Sequence, residues 1–217
     1  MTSTTPTTTI VDPAGVLQAM GLCERARREG DLAPDVTLPD ASGMPVALSG
    51  LWQDGPLVVI FYRGGWCSYC NLQLRAWQRH AQRLQELGVA MVAISPQTPD
   101  RSQDTADANA LAFTVLSDSG LEAANGFGIA YTLPPELVDL YASMGTDIPV
   151  LNGNDQWVLP IPATYLIDRT GRIRFAHVET DYRERLDPQG VIAIVEQASM
   201  QGGSDSLAAI GERGTTA

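Results

Sequence analysis

Positive charge is scarce in this chain: 14 Lys and Arg stand against 25 Asp and Glu, a formal net charge of −11. A surface of that sign repels phosphate backbones and anionic headgroups, so neither nucleic acid nor a membrane is an expected partner. Long apolar runs are lacking too, and no stretch approaches the roughly 18–20 residues that span a bilayer. The opening MTSTTPTTTIVDPAGV has no basic start and no apolar centre, so it does not read as a secretory leader. Cysteine is rare, at three residues, and histidine rarer, at two. A secreted disulfide scaffold would use more cysteine, which leaves a reducing, cytoplasmic setting and a catalytic or metal-binding pair.

What is present suffices for one sizeable core: 217 residues, 44% of them hydrophobic. No linker divides the middle of the chain. Residues 1–12 are biased to Thr, Pro and Ser and are expected to be a disordered tail. Residues 13–29 form an N-terminal helix, with Val16, Leu17, Met20 and Cys23 at helical spacing and Arg27, Arg28 and Gly30 as its stop. Residues 30–200 form the main domain, and 201–217 are a Gly/Ser-rich flexible tail.

Within the main domain, a small hairpin and a loop precede the apolar run Leu57–Tyr62, a strand buried on both faces. Cys70, Leu74, Trp77, Ala81 and Leu84 then step at helical spacing to a stop at Gly88, and Val89–Ile94 is a second buried strand. The unit is β–α–β, with parallel strands and a right-handed crossover. A helix over 100–112, a strand at 113–116 and a helix capped by Ser117-Asp118 follow. Residues 126–160, rich in Gly, Pro and Asn, read as an irregular insertion with one helical piece over 135–144. A hairpin (163–167 and 172–178, turning at Asp168-Arg-Thr-Gly171) and a helix over 188–200 complete an α/β fold: a central mixed sheet flanked by helices.

The chemical centre is Trp66-Cys67-Ser68-Tyr69-Cys70, which leaves the first strand through Gly64-Gly65 and opens a helix. Free N–H groups and the dipole at a helix start stabilise a thiolate. Two cysteines three apart there can close a disulfide without unfolding, and the two glycines turn the chain sharply and leave the thiols uncovered. Zinc would need two more ligands from Cys23, His80 and His177, which lack ligand spacing. Two inert packed thiols are the other alternative. Redox chemistry is favoured because strand, Gly-Gly, CxxC and amphipathic helix agree.

FYRGGWCSYCNLQLRAW, with GDLAPDVTLPD, AISPQTPD, LPIPATYLIDRTGRIRFAHV and DYRERLDP in the same order, resembles the peroxiredoxin-like group of the AhpC/TSA superfamily. The resemblance runs from about Gly30 to Ala198 and implies a thioredoxin-like fold and thiol peroxidase activity on hydrogen peroxide or organic hydroperoxides. It also implies recycling by thioredoxin or a low-molecular thiol, with no cofactor and no metal; a homodimer is a candidate assembly. The family pattern Pro-x-x-x-Thr/Ser-x-x-Cys places its peroxidatic cysteine on Cys70, with Cys67 at the threonine position and Arg63 at the proline position. Cys70 is therefore expected to attack and Cys67 to resolve. As an alternative, Cys67 leads a thiol–disulfide oxidoreductase, as in thioredoxins; a non-catalytic redox-sensing module is a third reading.

The arginine that peroxiredoxins carry before the late strand is replaced by Pro162, in PATYLID, which resembles the cis-proline of thioredoxins. Arg63 is expected to supply the missing charge from the other side of the thiols. Trp66 is expected to shield the site, with Pro162 and Thr164 supporting it. Trp77 reads as core, Cys23 as apolar filler or a distant resolving thiol, and Asp168 as a turn residue. Asp181, Tyr182, Arg183 and Arg185 match the family without a chemical role.

Overall fold

The computed structural model describes residues 12–200. The expected tails at 1–12 and 201–217 lie outside the described residues, except for Asp12, whose side chain accepts the Gly15 N–H and starts helix α1 (Pro13–Ala19). Helix α2 (Leu22–Arg25) follows. The single helix expected over 13–29 is broken because Gly21 takes φ +61° between the two. Leu17 and Leu22 are both buried, so the pair is docked on the domain.

The expected hairpin is β1 (Thr37–Pro39) against β2 (Pro45–Ala47), and a short helix α3 (Leu48–Trp52) buries Leu48 and Trp52 where a loop is predicted. Strand β3 (Leu57–Phe61) is buried at every residue. Helices α4 (Ser68–Gln78) and α5 (Ala81–Glu86) lead to β4 (Ala90–Ser95), parallel to β3. One continuous helix is predicted there; it is interrupted at Arg79–His80, yet Leu74, Trp77 and Leu84 keep to the buried side. Helix α6 (Pro99–Ala108) returns the chain to β5 (Thr114–Ser117), again parallel. Asp118 accepts the Ala123 and Ala124 N–H groups, starting α7 (Glu122–Gly126).

Residues 126–160 are more ordered than their composition predicts. Strands β6 (Ala130–Thr132) and β7 (Val158–Pro160) pair and close an excursion that carries α8 (Pro135–Ser143) and α9 (Ile148–Asn152). Strands β8 (Ala163–Ile167) and β9 (Ile173–Val178) and helix α10 (Pro188–Met200) complete the chain. Asp168 holds the β8–β9 turn, accepting the Thr170 and Arg172 N–H groups and pairing with Arg174 at 2.6 Å.

The sheet order is β5-β4-β3-β8-β9, with β8 and β9 antiparallel to their neighbours. Alternate side chains serve opposite faces. Leu57, Val59, Phe61, Ile94 and Tyr165 face the N-terminal helices and the 126–160 excursion. Val58, Ile60, Ala93, Val115 and Leu166 face α4, α5 and α10. Both faces being covered, the strands read as continuous apolar runs. The Ile161–Pro162 peptide is trans, which corrects the cis form implied by resemblance. Backbone pairing explains it: the Ile161 N–H bonds Ile129, and the Pro162 carbonyl accepts from Glu179, so the chain runs extended from β7 into β8. Among the described residues no helix is long and apolar enough to cross a membrane.

Candidate active site

After β3 the chain must cross the sheet edge and open α4 within a few residues, and close approach forces glycine at two of them. A Cβ on Gly64, at φ +146°, would lie 2.4 Å from Trp66 Nε1, and one on Gly65 2.3 Å from Thr105 Oγ1. Gln97, just beyond β4, accepts the Gly65 N–H at 2.6 Å, and Asn71 Nδ2 donates to the Gly65 and Cys67 carbonyls at 2.7 and 3.2 Å. The loop is therefore pinned from α4 and from the loop after β4.

Cys67 is the N-cap residue of α4, and Cys70 is the third residue of the helix. Neither thiol is uncovered, as the Gly-Gly turn had implied: Cys67 is 4% exposed and Cys70 0%. Their settings differ all the same. The Cys67 side chain lines a cavity of about 310 Å3, shared with Arg63, Trp66, Tyr69, Tyr141 and Tyr182. Cys70 packs inward among Ile60, Tyr62, Leu74 and Trp77. Both are free thiols. A larger cavity of about 980 Å3, near Gly88 and Phe113, contains no cysteine.

Arg63, 3% exposed, donates from Nη2 to Cys67 Sγ at 3.0 Å and from Nη1 to the Tyr141 hydroxyl. Its guanidinium lies over Tyr182 at 4.2 Å and near Trp66 at 5.1 Å. Among the described residues no carboxylate pairs with it. A buried guanidinium without an anion is costly, so the sulfur of Cys67 is the group that can balance it. The Cys70 thiol beside it, then the charge and hydrogen bond of Arg63, hold Cys67 well below the ordinary thiol range against the opposing effect of burial. Burial and the adjoining Cys67 push Cys70 well above that range, with Arg63 and Arg185 opposing. Arg185 Nη2 lies 3.6 Å from Cys70 Sγ.

Of the residues expected to support the thiols, Arg63 and Trp66 line the cavity; Pro162 and Thr164 do not. Thr164 is fully buried, pairs with Ile60 across the sheet and leaves its hydroxyl without a partner among the described residues. Cys23 is exposed, its thiol 3.7 Å from the Val178 carbonyl. His80 stands at the N-cap position of α5 without a side-chain capping bond, and His177 sits in β9; among the described residues no three His, Cys, Asp or Glu side chains gather as metal ligands would. Sequence reasoning missed Tyr141 and Gln97 and gave Tyr182 and Arg185 no role. No local signal marks them, since each reaches the CxxC loop, its thiols or Arg63 only through the fold.

A family model described as the AhpC/TSA family matches residues 30–176. Peroxiredoxin Bcp of Escherichia coli is 30% identical over 102 residues, covering 47% of this chain and 65% of the relative, so the match spans just under two thirds of that protein. Peroxiredoxin Q of Sedum lineare chloroplasts is 28% identical over 149 residues, 69% of this chain and 68% of the relative. Among solved structures, peroxidoxin BcpB of Mycobacterium tuberculosis superposes with a TM-score of 0.61 at 22% identity, covering 78% of this chain and 97% of that one. A thiol peroxidase of Chromobacterium violaceum gives 0.64 at 17% identity, covering 82% and 90%. The fold is thioredoxin-like, as those structural neighbours share it.

Proposed function

This chain belongs to the AhpC/TSA family, and from that premise we propose that it is a thiol-dependent peroxidase in which Cys67 attacks and Cys70 resolves. The observation that carries the assignment is the 3.0 Å bond from Arg63 to Cys67 Sγ, at the wall of a cavity that Cys70 does not reach. It inverts the order that the family pattern implies. A thiolate is the nucleophile, and Cys67 is the sulfur held acidic and facing open space.

The Cys67 thiolate attacks the terminal oxygen of a hydroperoxide; an S–O bond forms, the O–O bond breaks, and the departing oxygen takes a proton. Cys70 then attacks the sulfenic sulfur, closing the disulfide, and its proton leaves with the hydroxide as water. A dithiol such as thioredoxin, or a low-molecular thiol, exchanges with the disulfide and restores both thiols. Arg185 beside Cys70 favours its anionic form as leaving group in that last step. Disulfide exchange led by the same Cys67 is the second reading. The cavity of about 310 Å3 at Cys67 admits a small peroxide, which favours the first reading.

The test is peroxide consumption with thioredoxin, thioredoxin reductase and NADPH. Cys67→Ser is expected to abolish it, while Cys70→Ser completes one turnover and leaves a dimedone-reactive sulfenic acid on Cys67. Sulfenic acid trapped on Cys70 instead would restore the opposite order, and a wild type that consumes no peroxide would move the function to disulfide exchange.

A further inference from the structure

The Arg63 fork holds two groups side by side: Nη2 bonds Cys67 Sγ, and Nη1 bonds the hydroxyl of Tyr141. Tyr141 comes from α8, in the 126–160 excursion, 78 residues from Arg63. Its ring is wedged edge-on against Trp66, with centroids 5.6 Å apart, and it is 5% exposed on the wall of the Cys67 cavity. A guanidinium can only donate, so the phenol oxygen is the acceptor in that bond and its own O–H hydrogen is left over. Among the described residues nothing accepts that hydrogen, and Tyr141 lines the cavity.

Reduction of a hydroperoxide needs a proton at this place. Water and alcohols are weak acids, so hydroxide or alkoxide is a poor leaving group unless a proton arrives as the O–O bond breaks. We propose that Tyr141 is the general acid of the peroxide step, a role that rests on the peroxidase reading above. The Cys67 sulfur supplies the electron pair of the new S–O bond. The O–O pair leaves on the departing oxygen, and the Tyr141 hydroxyl hydrogen transfers to it. Negative charge thereby passes from Cys67 sulfur to Tyr141 oxygen, and both positions bond the same guanidinium. Arg63 keeps an anionic partner throughout, and water in the cavity then returns a proton to the phenolate. Tyr131 is a second buried phenol, with no partner for its hydroxyl among the described residues, but it does not line the cavity.

Leaving-group chemistry tests this. Reduced wild type, Tyr141→Phe and Tyr131→Phe are each reacted with three reagents that report on the same Cys67 thiolate. An alkyl hydroperoxide needs a proton for its leaving group; a peroxy acid, which expels a carboxylate, and iodoacetamide, which expels iodide, do not. Tyr141→Phe is expected to slow the alkyl hydroperoxide about 100-fold, while the peroxy acid and alkylation rates stay within a few-fold of wild type. Tyr131→Phe is expected to leave all three rates alone. Equal slowing of all three reagents in Tyr141→Phe would show that the phenol serves only Arg63 or the fold, and would overturn the proposal. So would an unchanged alkyl hydroperoxide rate, or a selective loss in Tyr131→Phe instead. A wild-type protein that is alkylated readily but reacts with neither peroxide would remove the peroxidase reading itself, and this role with it.

Discussion

Cys67 and Cys70 begin the same helix turn and lie in one apolar cluster, yet only Cys67 meets the cavity and the Arg63 hydrogen bond. At the outer position a buried arginine, ringed by Tyr141, Trp66 and Tyr182, donates to sulfur, and a cavity opens beside it. At the inner position the sulfur belongs to the apolar cluster of Ile60, Leu74 and Trp77, and a partly exposed Arg185 lies 3.6 Å from it. An N-cap side chain lies outside the helix barrel beside free N–H groups, whereas the third residue, one turn on, points at whatever the helix packs upon. Polarising two identical thiols therefore takes no special chemistry at the cysteines. It takes a helix seated on a sheet, with one cation at its mouth.

Removing that cation should break the contrast most severely. Arg63→Met is expected to raise the titration midpoint of Cys67 by about 2 pH units, part of the way from well below the ordinary thiol range back towards it. The sign follows from the charge: without the guanidinium the thiolate loses its partner, so alkylation falls on the order of 100-fold at pH values below the wild-type midpoint and far less at neutral pH. A pH series of iodoacetamide alkylation reads this directly, and an unmoved midpoint would mean that the Cys70 thiol and the helix start suffice.

The inner side is tested through packing. Leu74 is 0% exposed and shares the Cys70 cluster. Leu74→Ala should cost about 2–5 kcal/mol in urea unfolding and admit alkylating reagent to Cys70, with the acidity of Cys67 retained. Labelling that remains confined to Cys67 would show that α4 itself, not this side chain, closes the inner thiol.

The smallest change sharpens the comparison. Arg185→Gln removes a partly exposed charge at 3.6 Å, where solvent screens much of the interaction. Reduction of the disulfide by thioredoxin is expected to slow only a few-fold, with the first peroxide step unchanged. A loss as large as that of Arg63→Met would make the two cations equivalent.

The CxxC at a helix start was readable because strand, turn and helix signals converge on it within a dozen residues on either side. The apolar run Leu57–Phe61 sits next to Gly64-Gly65, and Cys70, Leu74 and Trp77 repeat at helical spacing. Arg63 as a cation near the thiols was expected from its place in the same loop, and it lies four residues before the sulfur it bonds. Tyr141 was not. On its own helix it shares a spacing of four with Leu137, and both read as core. The break at Gly21 and the trans Ile161–Pro162 peptide were hidden differently, being set by how the N-terminal helices dock and by β-pairing on both sides of the proline.

The sequence by itself determined the α/β order, the strands buried on both faces and a CxxC at a helix start, because these rest on local periodicity and turn chemistry. Which of the two sulfurs meets the charge and the cavity, and which phenol stands beside it, only the tertiary structure decided. Desolvation, a cation within hydrogen-bond reach and a phenol on the cavity wall come from atoms brought together from β3, α4, α8 and the segment before α10, and no window of sequence contains them all.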